Sequence, residues 1–288
     1  MWAVVINPIA GRGKGALLGT RVTKYLKSHE IEFEIASGTT AALTRKYLQE
    51  IVANNRCKGV IAVGGDGLVN LAIQEISRTK IPLAVIPAGT GNDFCRTLGW
   101  GMDEVESILE VVLSSPPQSI DLGLVNGSWF GAILSTGFDS VVNERANTMS
   151  WPKGRMKYNL AMLLELFGFK PHHYEISIDG VLRSTKAMLI AVGNGVSYGG
   201  GMKVCPGARI DDGNFDIMIL KPISTFEFLR VFPKVYAGTH VTHPAVEIHR
   251  GSQVVINAPA VAYADGERVG PLPAHATCVA DALLTWFK

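Results

Sequence analysis

The sequence predicts a two-part fold, in which a doubly wound α/β domain with a mainly parallel sheet is followed by an antiparallel β-sandwich domain. Two observations predict it. Through residue 113, short apolar runs alternate with segments whose apolar residues recur at helical spacing, as in a sheet covered by helices. After a Ser-Ser-Pro-Pro break at residues 114–117, apolar and polar residues alternate along several segments. We therefore expect one domain at residues 1–117 and a second at residues 118–288.

The composition excludes several classes of protein. With 47% hydrophobic and 18% charged residues, the chain has enough apolar side chains for a buried core and is not disordered. A formal net charge of +2 does not indicate nucleic-acid binding. The four cysteines form no Cys-x-x-Cys pair, which argues against structural zinc and suits a reducing compartment. No window reaches the roughly 18 apolar residues of a spanning helix, so we expect a cytoplasmic protein.

Individual elements follow from the spacing of the apolar residues. In the first domain, strands are predicted at residues 2–6, 31–36, 60–63 and 83–86. Helices are predicted from Leu18 onward and at residues 44–53, 69–77 and 104–113. In the second domain, strands are predicted near residues 174–178, 215–219, 247–249, 253–257 and 278–286, and helices at residues 155–167 and after Ser224. Ser224-x-x-Glu227 has the form of a capping box.

Three glycine-rich turns follow strands of the first domain, at residues 7–15, 64–67 and 87–93. Because parallel strands all point the same way, these turns should converge at one edge of the sheet, where open α/β sheets bind ligands. Glycines let a ligand approach the backbone, and amides at a helix start attract phosphate. Asp66 and Asp93 add carboxylates, which suit Mg²⁺. The pattern therefore indicates a site for a nucleotide and a metal ion.

The first turn leaves an alternative open. Gly11-x-Gly13-x-x-Ala16 fits the dinucleotide-binding pattern, and Glu32 or Glu34 lies roughly where the ribose-binding acid belongs. That pattern does not account for the Asn7-Pro8 start or for the other two turns. Arg12 and Lys14 are placed to meet phosphate, although a solvated basic loop would look the same.

Two acidic segments of the second domain each have two interpretations. Asp265 and Glu267 flank a glycine, so they form either a polar hairpin turn or a pair of carboxylates in a cleft. Asp211 and Asp212 precede Gly213 and lie either in a simple turn or at a cation. The spacing alone does not decide between these interpretations.

Together these segments resemble the catalytic-domain family of the diacylglycerol kinases, and most closely its bacterial soluble lipid kinases, which are related to sphingosine kinases. The matching motifs occur in the expected order over nearly the whole chain. They are Asn7-Pro-x-Ala-Gly-x-Gly, Gly64-Gly-Asp-Gly, residues 87–96, Gly137-Phe-Asp139, Asn194 with Gly199-Gly-Gly201, residues 206–213 and Asp265-Gly-Glu267.

The resemblance implies an ATP- and Mg²⁺-dependent lipid kinase that phosphorylates a lipid hydroxyl, foremost diacylglycerol to give phosphatidic acid. It also implies an ATP-binding first domain, a lipid-substrate second domain and an active site in the cleft between them. Asp265 would be the catalytic base. Asp66, Asp93 and Glu267 would hold Mg²⁺, and Asp212 a separate structural metal ion. The nucleotide would meet Asn7, Gly11, Gly13, Lys14, Thr40, Gly65, Gly67, Gly89, Thr90 and Asn92.

Other functions stay open at this point. Leu68 stands where the family usually has Thr, and Leu71 stands where it usually has Glu. These departures favour two alternatives, a sphingoid or other lipid kinase and a nucleotide-binding regulator without turnover. NAD kinases share the Gly-Gly-Asp-Gly turn, but the Asn7-Pro8 opening and the Asp265-Gly-Glu267 pair favour a lipid substrate.

The expected partner is a lipid at the membrane surface, with peripheral contact at the inner face of the membrane and no nucleic acid. An apolar surface for docking is predicted from Trp151, Met162, Leu163, Leu166, Phe167 and Phe169, flanked by Lys153, Arg155, Lys157 and Lys170. A core-facing helix is the alternative for the same residues. The oligomeric state is open, with a homodimer as one alternative.

Overall fold

The computed structural model describes residues 1–54, 56–101, 104–152 and 155–288, and only the main chain of Arg155. The chain forms two compact units. The first unit consists of Met1–Leu122 and Ala280–Lys288, and the second of Gly123–Val279. The chain therefore passes from the first unit to the second between Leu122 and Gly123, shortly after the predicted boundary at residue 117. The return of the last residues to the first unit has no signal in the sequence, because these residues continue a strand of the second unit.

The first unit is an α/β structure with a parallel sheet, as predicted. Its elements are β1 (Trp2–Ile6), α1 (Ala10–Ser28), β2 (Phe33–Ile35), α2 (Ala41–Val52), β3 (Gly59–Gly64), α3 (Asp66–Ile76), β4 (Leu83–Pro87), α4 (Asp93–Thr97) and α5 (Val105–Ser114). The strands pair in parallel in the order β2-β1-β3-β4, and Thr285 pairs with Leu83 at the far side of β4. All residues of β3 and β4 are buried, as expected where both faces of a sheet are covered.

Most predicted elements of the first unit are confirmed, with small shifts at their ends. Helix α2 begins at Ala41, because the Thr40 hydroxyl accepts the main-chain N–H of Leu43 at 3.2 Å and caps the helix. Helix α4 was not predicted from the sequence. It has only five residues, too few to show a helical repeat.

The second unit is built on two antiparallel sheets. After β5 (Gln118–Val125), which the chain uses to enter this unit, the strands are β6 (Ser128–Phe130), β7 (Ile133–Gly137), β8 (His172–Ile178), β9 (Val181–Ala187), β10 (Leu189–Gly193), β11 (Phe215–Leu220), β12 (Val246–Gly251), β13 (Gln253–Asn257), β14 (Val261–Ala264), β15 (Glu267–Pro271) and β16 (Ala274–Thr285).

One sheet of this unit has the strand order β16-β13-β8-β9, with β5 paired to β16 and β6, and the other has the order β12-β11-β10-β7-β14-β15. Tyr174 and Phe215 are fully buried in the core to which both sheets contribute. The predicted antiparallel β-sandwich is therefore confirmed.

Helices cover the outer face of the second sheet. They are α6 (Phe138–Thr148), α7 (Arg155–Leu166), α8 (Thr225–Val231) and α9 (Lys234–Ala237), and a single 3-10 turn follows at Thr239–Thr242. Phe138 packs edge-on against Phe169 and Phe228, which joins these helices into one layer. The Ser224 hydroxyl accepts the N–H of Glu227 at 3.2 Å, so the predicted cap is confirmed. Helix α6 was not predicted, because polar residues interrupt its apolar spacing.

Helix α7 combines a core-facing side and an exposed apolar side. Leu166 is only 3% exposed and belongs to the core beneath the helix, whereas Leu163, Leu164 and Phe167 are exposed. Met162 and Phe169 are half-buried against the same core. The prediction that Leu166 belongs to a docking surface is therefore wrong. Lys153 and the Arg155 side chain lie outside the described residues.

Among the residues that the structure describes, no helix combines the length and the apolar character that a membrane span would need.

Candidate functional site

The three glycine-rich turns of the first unit meet at one end of its sheet. A Cβ atom on Gly11 would overlap the carbonyl oxygen of Ala88, and one on Gly89 would lie 2.6 Å from the Cα of Gly65. Main-chain hydrogen bonds join the same segments, since the N–H of Ala88 donates to Gly64 at 2.8 Å and that of Asn7 donates to Val63 at 3.0 Å. These close approaches require glycine. The predicted convergence of the turns is therefore confirmed.

The first turn has a left-handed backbone over three residues. Gly11, Arg12 and Gly13 have φ values of 56°, 63° and 93° and interrupt the start of α1, so regular helix begins after them. Arg12 and Gly13 are exposed and Lys14 is half-buried. Exposed main-chain amides and two basic side chains at the start of a long helix form a setting that attracts phosphate.

Asp66 joins the second turn to the third. Its carboxylate accepts the main-chain N–H of Asn92 through Oδ2 and that of Asp93 through Oδ1, both at 2.8 Å. Asn92 in turn closes the third turn on itself, because its side chain accepts from the N–H of Gly89 at 2.9 Å and donates to the carbonyl of Gly89 at 2.8 Å. Both side chains therefore shape the turns, a role that the sequence did not indicate.

The carboxylates of Asp66 and Asp93 both lie next to Gly91. An ideal Cβ atom on Gly91 would overlap Asp66 Oδ2 and lie 3.4 Å from Asp93 Oδ2, so the two carboxylates share one small space. Asp93 is 9% exposed. Mg²⁺ uses few carboxylates and keeps several waters, which fits this pair. The described residues contain no group of three or more His, Cys, Asp or Glu side chains that could hold a metal ion.

The other predicted nucleotide residues lie at helix starts and turns of the first unit. Gly67 is exposed in the first turn of α3, Thr90 is exposed in the third turn, and Thr40 is exposed at the start of α2. The sequence missed Ser37, whose hydroxyl accepts the N–H of Ile6 at 3.0 Å and donates to its carbonyl at 2.9 Å. Ser37 thereby fixes the end of β1 just before Asn7.

Leu68 and Leu71 belong to the core of the first unit. They are 8% and 6% exposed, and the Leu68 side chain lies directly over Gly64, so closely that a Cβ there would be 2.6 Å from Leu68 Cδ2. Burial of α3 against the sheet accounts for both leucines. Leu68 and Leu71 depart from the family motif, but their burial is compatible with the glycine-rich turns described above.

In the second unit, Asp265 lies in the turn between β14 and β15 with a φ of 50°. Its carboxylate accepts main-chain N–H groups of Gly131 at 2.6 Å, Ala132 at 2.9 Å and Ile133 at 3.1 Å. Charge-assisted bonds of this kind hold the carboxylate in one orientation. Glu267 is exposed at the first position of β15, opposite Ala264.

Asp139 is a half-buried residue whose two carboxylate oxygens are buried, and the sequence assigned it no role. Neither carboxylate oxygen has a hydrogen-bond partner within the described ranges of the chain. Burial raises the pKa of Asp139 to about 6, and the nearby Ser135 hydroxyl and Ser140 N–H offset only part of this effect. The Gly137-Phe-Asp139 motif was the available signal, because it places an acid at the start of a helix directly after a buried strand.

Asp212 does not fit a cation site. Its Oδ1 accepts the N–H of Asn214 at 3.1 Å, and its Oδ2 pairs with the Arg250 guanidinium. Arg250 Nε also lies 3.2 Å from Oδ1 of the buried Asp216. The guanidinium thus already supplies the positive charge that the family resemblance assigns to a structural metal ion, and we derive no step from such an ion.

Comparison with known proteins gives consistent results. Residues 1–125 match the family described as "Diacylglycerol kinase catalytic domain", and residues 132–286 match "YegS C-terminal NAD kinase beta sandwich-like domain". A relative named diacylglycerol kinase from Mycobacterium tuberculosis (strain ATCC 25618 / H37Rv) is 38% identical over 284 residues, covering 96% of this chain and 92% of the relative. One of the same name from Bacillus subtilis (strain 168) is 29% identical over 277 residues, covering 94% and 90%.

The fold also matches solved structures. A crystal structure of a diacylglycerol kinase from Bacillus anthracis str. Sterne superposes with a TM-score of 0.77 at 21% identity, covering 100% of this chain and 96% of that one. At this identity the match supports the fold.

The parallel sheet with converging glycine turns, together with the β-sandwich and its acidic hairpin, defines the class of the lipid kinases. Within that class, the chain belongs to the diacylglycerol kinase family.

Proposed function

We propose that the chain transfers the γ-phosphate of ATP to the hydroxyl group of diacylglycerol, with Mg²⁺, to give phosphatidic acid and ADP. The observation that carries the proposal is the placement of Asp66 and Asp93 around Gly91, where three glycine-rich turns converge. Phosphoryl transfer depends mainly on positioning and on neutralising charge, and this arrangement offers both.

The turns would bind the nucleotide through main-chain amides and basic side chains. Gly65, Gly67 and Gly89 would let the phosphates approach the backbone, and Lys14 in the first turn would neutralise their charge. The remaining proposed contacts are Asn7, Gly11, Gly13, Thr40, Thr90 and Asn92. Asp66 and Asp93, with Glu267, would hold Mg²⁺, partly through water, and the bound ion would neutralise charge on the transferring phosphoryl group.

Asp265 would accept the proton of the attacking hydroxyl group. The hydroxyl oxygen forms a bond to the γ-phosphorus, the bond from that phosphorus to the β–γ bridging oxygen breaks, and ADP leaves. The three main-chain donors at residues 131–133 hold the Asp265 carboxylate in one orientation. A fixed base is what proton abstraction in the transition state requires.

A lipid substrate also requires that the protein contact a membrane surface. Helix α7 and the residues next to it offer an apolar protein surface for this contact. Leu163, Leu164 and Phe167 are 43%, 53% and 77% exposed, and Trp151 just before the helix is 75% exposed. Lys170 is exposed next to them. Apolar side chains beside a basic one suit the interface of an anionic membrane.

The decisive experiment is a substrate panel. The protein is incubated with γ-labelled ATP and, in turn, diacylglycerol, a sphingoid base and NAD, with or without Mg²⁺, and the products are identified by mass. We expect labelled phosphatidic acid, formed only with Mg²⁺. Phosphorylation of NAD or the sphingoid base in its place would overturn the proposed substrate. ATP binding without any product would favour a nucleotide-binding regulator.

Asp265→Asn tests the proposed base in the same assay. We expect it to abolish turnover while ATP binding is retained, and near-wild-type turnover would exclude the role. Whether the protein forms a homodimer, one of the alternatives left open by the sequence, is a separate question, which light scattering after size-exclusion chromatography answers directly.

A further inference from the structure

One carboxylate oxygen in the second unit contacts both strands of the hairpin that carries Asp265. Glu144 Oε1, on α6, accepts the hydroxyl of Tyr263 at 2.8 Å and the Nε–H of Arg268 at 2.7 Å. Tyr263 and Arg268 face each other across the hairpin, and the next pair, Ala264 with Glu267, closes on the turn. Glu144 therefore bridges the two strands directly next to the turn.

We propose that Glu144 is a positioning residue that holds the β14–β15 hairpin in its working position, and through it Asp265 and Glu267. The proposal rests on the function proposed above for Asp265. Glu144 bonds to Tyr263 and Arg268, which are hairpin residues close in sequence to the acids. It would therefore act through the hairpin.

The hairpin needs such support because β15 is the edge strand of its sheet. In the order β12-β11-β10-β7-β14-β15, only β14 pairs with it. The pairing of β14 with β7 ends at Ala264, beyond which the N–H of Asp265 donates to the carbonyl of Ile133 at 3.0 Å, and the β14–β15 register shifts between Ala262 and Tyr263. An edge hairpin with an irregular register has few main-chain bonds to fix its tip.

Two side-chain contacts add to this main-chain bond of Asp265 and restrain the tip from different directions. Asp265 itself accepts the main-chain N–H groups of residues 131–133, and Glu144 holds the strands on either side of the turn. A displacement of about 1 Å at a reacting group can cost on the order of a hundredfold in rate. Loss of one of these restraints should therefore lower turnover.

The protonation states of the three side chains suit this bridge. The hydrogen bond and charge of Arg268 lower the pKa of Glu144, so the carboxylate is ionised at neutral pH. Burial, followed by Glu144, raises the pKa of Tyr263 to about 12, so its hydroxyl stays protonated and can donate. Tyr263 is only 2% exposed, which leaves its hydroxyl little access to water as an alternative acceptor.

The same geometry predicts only a small effect on overall stability. The Glu144 and Arg268 side chains are 47% and 51% exposed, and exposed ion pairs contribute little to the free energy of unfolding. Catalysis and stability should therefore separate in a Glu144 variant.

The test compares Glu144→Ala and Glu144→Gln with Glu165→Ala as the matched control. Glu165 on α7 pairs with Arg145 of α6, so its removal breaks an ion pair of the same helix without touching the hairpin. Each variant is assayed with ATP and diacylglycerol in mixed micelles, its Tm is measured, and amide hydrogen exchange is followed at residues 264–269.

We expect Glu144→Ala to lower kcat about tenfold, with KM for ATP within about twofold of wild type. Exchange should rise at residues 264–269, and Glu144→Gln, which keeps an acceptor oxygen, should recover part of kcat. Glu165→Ala should change neither kcat nor the amide exchange at residues 264–269. Wild-type kcat and exchange in Glu144→Ala would overturn the proposal, as would a loss of kcat matched by Glu165→Ala.

Failure of this inference is distinguishable from failure of the proposed function. If Asp265→Asn abolishes turnover and Glu144→Ala does not lower it, only the positioning role fails. If Asp265→Asn keeps turnover, the assignment of the base fails, and with it the reason for positioning the hairpin.

Discussion

The carboxylate of Asp66 accepts the main-chain N–H of Asp93 at 2.8 Å. This bond joins the turn after β3 to the turn after β4, and it brings the second carboxylate of the proposed metal site next to the first. One side chain therefore serves two purposes, because it builds the site and belongs to it. The position of Asp93 depends on the bond, since Asn92 just before it has a left-handed backbone with a φ of 54°.

Replacing Asp66 should affect both stability and activity. Asp66→Ala leaves the N–H groups of Asn92 and Asp93 without their acceptor, so we expect the free energy of unfolding to fall by about 1–3 kcal/mol. Turnover should fall by more than about hundredfold, because a metal ligand and the third turn are lost together. Urea unfolding and the kinase assay measure the two effects. Glu50→Gln, an exposed acid on α2, should change neither, and an Asp66→Ala variant with normal turnover would contradict the proposed site.

The sequence predicts the topology that brings these turns together. Apolar strands ending in glycines predicted that the turns of β1, β3 and β4 meet, because parallel strands carry their carboxyl ends to the same edge. Asp66 and Asp93 could be identified as acids of that edge. Their hydrogen bonds could not, because a carboxylate near a turn has the same sequence signature whether it accepts amides or binds a cation.

Burial and long-range contacts also could not be predicted from the sequence. Leu166 and Phe167 are adjacent and both apolar, yet only Leu166 faces the core, and which side of α7 is buried depends on the neighbouring α6 and on strands far away in sequence. Glu144 carries no local signal at all, since its partners Tyr263 and Arg268 lie more than a hundred residues further along the chain. Arg250, the partner of Asp212, lies outside the motifs and 38 residues further along the chain.

Arg250 should make the second unit independent of divalent cations. Because its guanidinium pairs with Asp212 and Asp216, we expect EDTA to leave the Tm of the wild-type protein unchanged. Arg250→Ala leaves the buried Asp216 without its partner and should lower stability by about 1–3 kcal/mol. Arg183→Ala, at an exposed position of β9, is the control and should have little effect. A fall in the wild-type Tm on adding EDTA would show that a structural cation is needed after all.

Asp139 should make stability depend on pH in the mildly acidic range. Burial raises its pKa from 3.8 to about 6, so the folded state holds this proton more tightly than the unfolded chain. Its contribution to stability is present in full below pH 3.8 and is lost as pH rises through 6. At pH 8 the ionised form costs up to about 3 kcal/mol, from roughly 1.4 kcal/mol per pKa unit.

Asp139→Asn removes that cost and is the direct test. We expect the variant to gain about 1–3 kcal/mol in the free energy of unfolding at pH 8 and little at pH 4.5. Urea unfolding across this range measures the difference. Asp211→Asn, at an exposed acid of the same unit, should show no such dependence. An Asp139→Asn variant that is less stable than wild type at pH 8 would mean that the carboxylate makes a stabilising contact when ionised.

Phe167 tests the proposed membrane contact. Its side chain is 77% exposed at the end of α7, so Phe167→Glu should leave the fold intact and weaken sedimentation with vesicles that contain anionic lipid. Loss of one large apolar side chain from the interface corresponds to roughly 1.5–3 kcal/mol, or at least about tenfold in apparent affinity. Turnover on a water-dispersed short-chain diacylglycerol should be unchanged, because that substrate does not require docking.

The matched control for Phe167 is a second exposed aromatic residue on another helix of the same layer. Phe226 on α8 is 79% exposed, and Phe226→Glu introduces the same charge and removes the same ring. If α7 is the docking surface, only Phe167→Glu should weaken vesicle binding. Equal losses in both variants would extend the surface to α8, and unchanged binding in Phe167→Glu would exclude α7. Leu166 is unsuitable for this test, because it is a core residue that is only 3% exposed. A charge there would unfold the helix layer, so a loss of vesicle binding would not measure the membrane contact.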